Sequence, residues 1–85
     1  MVGYSVFFKQ SVQKDLEGIL KKDLRRILRR IKSLEGEPRP QGGEKLTGQG
    51  RYQLRQGPCR IVYAIQEEER IVTVVKVGHR KDIYR

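Results

Sequence analysis

Arginine recurs at positions where an extended chain would turn it to one side. Arg51, Gln53 and Arg55 alternate with Tyr52 and Leu54, so in a strand the first three share one face and the other two the opposite face. With Tyr52 and Leu54 in the core, the polar set lies open. The next run has Ile61, Tyr63 and Ile65 as its core set, which directs Arg60 to the open face. In the run after it, Lys76, Gly78 and Arg80 point one way. The expected product is a sheet face lined by Arg51, Arg55, Arg60, Lys76 and Arg80. Guanidinium groups stay charged and grip phosphate oxygens in a bidentate fork, so this face suits a phosphodiester. His79 has the intrinsic pKa of a proton-transfer group, although alternation turns it away from Arg80. Metal and thiol chemistry find little support. One His and one Cys make no ligand cluster, and Cys59 lacks the His/Asp pattern that would activate it as a nucleophile. No cofactor is expected.

Charge points the same way. Nineteen Lys and Arg stand against ten Asp and Glu, a net of +9. The excess is clustered, above all in residues 21–34, where Asp23 is the lone acid among seven basic residues. Such clusters attract polyanions: nucleic acid, an anionic membrane surface or an acidic protein. Arg25, Arg26, Arg29, Arg30 and Lys32 form the solvated face of a helix, a second basic surface able to touch RNA. A single cysteine excludes an internal disulfide and suggests a reducing, cytoplasmic setting. No run approaches the ~18 apolar residues of a membrane span, and no membrane partner is expected.

The elements that must carry these residues can be read from periodicity. One domain spans residues 1–85. Gly3 to Phe8 alternates as a strand, with Phe7, Phe8, Tyr52 and Tyr63 read most simply as core. From Ser11, a candidate N-cap, the period becomes helical, with Val12, Leu16, Ile19 and Leu20 on one stripe. Asp23 is a candidate cap for a second helix bearing Leu24, Ile27, Leu28, Ile31 and Leu34, and the break falls near Lys21–Asp23. A link this short predicts an antiparallel helical hairpin. Glu35 to Gly50, rich in glycine and proline, reads as a loop. Three strands follow: Arg51 to Gln56, a turn at Gly57-Pro58, Cys59 to Gln66, a charged turn, then Arg70 to Val77. The last is apolar on both faces and so central. The expected class is α+β, with the hairpin on one face of a four-stranded, mainly antiparallel sheet.

The run YQLRQGPCRIVY (residues 52–63), followed by VGHR (77–80) and Tyr84, resembles the RelE/ParE toxin superfamily. So do Lys14-Asp15-Leu16 at the helical hairpin and Lys45-Leu46-Thr47-Gly48 before the meander. The order and spacing of these pieces carry the resemblance. It implies a toxin of a toxin–antitoxin pair, with a cognate antitoxin as partner. The RelE branch cuts mRNA in the ribosomal A site without metal; the ParE branch poisons DNA gyrase. By resemblance, Arg60 and Arg80 stand at catalytic arginines and Tyr84 near a C-terminal catalytic tyrosine. Arg51, Gln53, Arg55, Lys76 and His79 would contact RNA. Well-studied members carry lysines, proposed for proton transfer, where this chain has Arg51 and Gln53. Arg is a poor base and Gln is none, so proton transfer falls to another group, or electrostatics and positioning carry the reaction.

RNA brings its own nucleophile, the 2′-hydroxyl. Cleavage needs that oxygen in line with phosphorus, charge stabilisation and proton transfer. Arg60 and Arg80 can supply the charge, and Tyr84 or His79 the proton. With the resemblance, this chemistry implies a ribosome-dependent endoribonuclease, with mRNA and the ribosome as partners. The alternatives are a gyrase-directed toxin without catalysis and a basic RNA-binding module without activity.

Overall fold

The computed structural model describes residues 3–40, 43–46 and 50–79. Strand β1 (Ser5–Phe8) leads into helices α1 (Gln10–Glu17) and α2 (Lys21–Ser33). Strands β2 (Glu44–Lys45), β3 (Arg51–Gln56), β4 (Cys59–Gln66) and β5 (Ile71–His79) follow. The sheet order is β1-β5-β4-β3-β2. Strand β1 runs parallel to β5, and every other pairing is antiparallel. The class is therefore the expected one, with five strands in place of four. The extra strand is the two-residue β2, which pairs Glu44 with Gln53 and Lys45 with Tyr52. Two residues inside a Gly/Pro-rich stretch are too few to show alternation.

Both helix starts lie earlier than the side-chain caps suggested. Lys9 caps α1 and Leu20 caps α2, in each case without a side-chain hydrogen bond. Asp23 sits instead in the first turn of α2, where its charge suits the helix dipole. The break falls at residues 18–20; Gly18 N–H closes α1 on the Asp15 carbonyl at 3.3 Å. None of the helices in the described residues is long and apolar enough to cross a membrane.

Helix α1 packs over β5 and α2 over β3. Val12, Ile27, Ile31 and Leu34 meet Leu54, Ile61, Tyr63, Val72, Val74 and Val77 in one core. Each fully buried aliphatic side chain contributes roughly 1.5–3 kcal/mol. Strict alternation along β5 would turn Val77 away from Val72 and Val74, yet all three are buried. An irregularity resolves this. Val62 pairs with Lys76 while Tyr63 pairs with Val74, so Val75 is an extra residue that re-aims the end of the strand. Lys76 and Gly78 thereby join the face opposite the helices. Tyr63 fixes the preceding loop by donating its hydroxyl proton to the Pro38 carbonyl at 2.8 Å.

Two aromatic assignments need correction. Phe7 and Phe8 are 55% and 45% exposed, because β1 is an edge strand paired with β5 alone.

Candidate nucleic-acid interface

The sheet face free of helices is built in rows by strand register. Arg55 lies opposite Arg60, and Arg60 opposite Gly78. The next row is Gln53, Val62 and Lys76. The one after it is Arg51, Ala64, Thr73 and Phe7. Residues opposite each other point to the same side, so Arg51, Gln53, Arg55 and Arg60 share one face, as alternation requires, and the irregularity at Val75 brings Lys76 to it.

They divide between two adjoining clefts with Gln53 on the wall of both. One, of about 340 Å³, is bounded by Arg30, Glu44, Gln53, Arg55 and Arg60. The other, of about 480 Å³, is bounded by Lys9, Ser11, Leu46, Arg51, Gln53, Val62, Val75 and Lys76. Arg51 and Arg55 are four residues apart on β3, about 13 Å at the rise of an extended strand. One phosphate cannot bridge both clefts, whereas a polynucleotide can.

Arg60 does not lie open as the alternation argument expected. It is only 6% exposed, and Gln53 only 3%. Strand β2 brings Glu44 beside Gln53, whose Nε2 donates to Glu44 Oε2 at 3.0 Å, and Arg30 reaches the same cleft from α2. Arg60 forms the partnered floor of a cleft. A guanidinium held in such a site is pre-oriented, and its field is less screened than on an open surface.

His79 pairs with Cys59, whose side chain lies in the core, so the register turns His79 to the opposite side from Arg60. Arg80 and Tyr84 lie outside the described residues. Cys59 is fully buried, and burial, with a smaller contribution from Asp23, pushes its thiol pKa up, against a nucleophilic role. The described residues contain no cluster of three or more His, Cys, Asp or Glu able to hold a metal.

Sequence reasoning missed Lys9, Arg30 and Glu44. Periodicity places Arg30 on a solvated helix face, Lys9 belongs to the β1–α1 junction, and Glu44 lies in a Gly/Pro-rich stretch whose pattern signals a loop. Only the three-dimensional path of the chain brings them to the clefts.

The sequence matches, over residues 6–84, the family model of the ParE toxin of the type II toxin–antitoxin system parDE. A comparison with curated protein sequences gave no match. Among solved structures, the fold is similar to the RelE–RelB complex of Pyrococcus horikoshii. Identity there is 30% and the TM-score 0.82, covering 91% of this chain and 94% of that one. The RelBE2 toxin–antitoxin complex of Mycobacterium tuberculosis is 29% identical with a TM-score of 0.81, covering 94% of both chains. A free RelE toxin of E. coli shares the fold at 23% identity, with a TM-score of 0.79 over 98% of this chain and 92% of that one. With a family model spanning nearly the whole sequence and the same fold in RelE proteins, this chain belongs to the RelE/ParE superfamily of toxins from toxin–antitoxin systems.

Proposed function

We propose that this toxin is an endoribonuclease that cuts mRNA on the ribosome and so arrests translation. The observation that carries the reading is Arg60, buried at the floor of a cleft that also holds Arg55, on a helix-free sheet face. Burying a guanidinium costs free energy; a cleft bounded by three arginines, Arg30, Arg55 and Arg60, against the single carboxylate of Glu44 suits a ligand carrying concentrated negative charge. The substrate's 2′-hydroxyl attacks the adjacent phosphorus, the 5′-oxygen of the next nucleotide leaves, and Arg60 with Arg80 stabilises the charge of the transition state. The reading requires no metal-generated nucleophile. Tyr84 is assigned, through the family resemblance, to proton transfer.

A gyrase-directed toxin is the second reading. It is favoured by the ParE description of the matching family model and by Arg51 and Gln53 in place of lysines. Primer extension on mRNA from a translation extract separates the two. Codon-phased, ribosome-dependent ends support the nuclease; intact mRNA with trapped gyrase–DNA complexes supports the gyrase reading.

The relatives' structures with RelB extend to this chain the proposal of an antitoxin partner. A relatively acidic, partly helical segment would cover the basic face. Coexpression should relieve growth arrest, and the complex should weaken as salt rises.

A further inference from the structure

Phe7 is a large apolar side chain, 55% exposed, on a sheet face that no helix covers. Its register partner is Thr73, which pairs with Ala64, which pairs with Arg51. Phe7 and Arg51 therefore stand at opposite ends of one row, three strand spacings or about 14 Å apart. Between this row and the Arg60 cleft lies the 480 Å³ cleft, bounded by three cations from three places in the chain: Lys9, Arg51 and Lys76. No carboxylate is among its described lining residues, whereas the Arg60 cleft contains Glu44.

We infer that Phe7 and the Lys9–Arg51–Lys76 cleft form a track for single-stranded RNA beyond the nucleotide cut at Arg60, with a base stacked on Phe7 and backbone phosphates held by the three cations. An exposed ring beside clustered cations is the combination by which proteins hold unpaired nucleic acid, since every base offers a π-face and every linkage a charge. A folded duplex would not offer its bases to Phe7. An acidic protein segment could satisfy the cations but has no need of a free ring face. The track deepens the nuclease reading, yet binding along it can be measured without cleavage.

The chain contains no tryptophan, so Phe7→Trp gives a unique fluorescent reporter. Phe8→Trp is the control, because Phe8 pairs with the core residue Val74 and so belongs to the other face. Titration with a single-stranded oligoribonucleotide should quench Trp at position 7 and not at position 8. By anisotropy, Phe7→Ala should weaken binding about fivefold or more, as for loss of one stacked base, with the salt slope unchanged. Lys9→Gln should weaken binding about three- to fivefold and lower the salt slope by about one. Lys9→Arg should restore both, and Lys21→Gln, outside the cleft, should alter the slope less than Lys9→Gln. Equal quenching at positions 7 and 8, or a Lys9→Gln variant that binds RNA like the parent while losing affinity for an acidic peptide, overturns the track. Cutting by the parent without quenching removes the track and leaves the nuclease. Quenching without cutting removes the nuclease and leaves the track.

Discussion

Asp15 Oδ2 accepts a hydrogen bond from the backbone N–H of Val77 at 3.2 Å. Strand β1 accompanies β5 only as far as Phe8 opposite Val74, after which the chain turns into α1. Lys9 N–H still reaches the Val74 carbonyl at 2.9 Å. At Val77, Asp15 takes the place of the strand that has left, and this gives the Lys14-Asp15-Leu16 motif a physical meaning. A half-buried carboxylate satisfies an amide that would otherwise face α1, and so fixes the part of β5 from which Lys76 meets the larger cleft and Gly78 stands opposite Arg60.

Asp15→Ala should therefore cost about 1–2 kcal/mol, near the lower range for a hydrogen bond to a charged acceptor. Asp15→Asn keeps an acceptor oxygen and should cost less than about 1 kcal/mol. Urea unfolding with an unchanged m-value measures both. Equal losses would mean that the charge of Asp15 matters more than its hydrogen bond.

Arg60→Ala is expected to reduce single-turnover cleavage on programmed ribosomes by at least about tenfold. Losing one preorganised contact to transition-state charge typically costs ~2.7–4 kcal/mol. Arg60→Lys keeps the charge but not the fork and should recover only part of the rate. Arg80→Ala should behave like Arg60→Ala. Since Arg60 is buried, thermal melting must accompany the kinetics. A folded double Ala variant with the parent's activity removes the site.

How much of this was legible in the sequence depended on the range of the forces involved. Strands β3 and β4 have the limits their patterns suggested, because Gly57-Pro58 and the alternating apolar residues are local signals. Strand β5 starts one residue late because Arg70 adopts a left-handed turn conformation at φ 55°. It ends two residues late because the irregularity at Val75 breaks the alternation that marks a strand. The shared face of Arg51, Gln53, Arg55 and Arg60 followed from alternation. The burial of Arg60 did not, since Glu44 and Arg30 come from elements distant in sequence. The exposure of Phe7 depends on β1 being an edge strand, which only the parallel pairing with β5 decides.

Tyr63 links stability to alkaline pH. Burial pushes its phenol pKa up to about 12, above the ordinary value near 10. The folded state thus holds the proton more tightly than the unfolded chain. Its contribution is complete below about pH 10 and is lost as pH rises toward 12. The loss is at most about 3 kcal/mol from this group. Tyr63→Phe should cost about 1 kcal/mol at pH 7, from the lost bond to the Pro38 carbonyl. The gap between parent and variant should narrow above pH 10. Urea titrations of both proteins from pH 7 to 11 test this, and a constant gap contradicts it.

On the nuclease reading proposed here, proton transfer is the step left open by Arg51 and Gln53, and His79 and Tyr84 are its two candidates. The pairing of His79 with Cys59 directs the imidazole away from Arg60, so His79→Gln should alter the cleavage step by less than about threefold, far below the loss of a positioned acid–base group. Tyr84 owes its candidacy to the family resemblance and falls in a polar segment, outside the described residues. Tyr84→Phe keeps the ring and removes only the hydroxyl. If that hydroxyl orients the nucleophile or relays a proton, cleavage should slow about 10²-fold. Stability should change by less than about 0.5 kcal/mol, as for an ordinary surface substitution. Single-turnover cleavage on programmed ribosomes ranks the two variants directly. An inactive His79→Gln beside a fully active Tyr84→Phe would require the end of β5 to turn over when RNA binds. Parent rates in both would leave the reaction to the arginines and to the in-line geometry of the RNA itself.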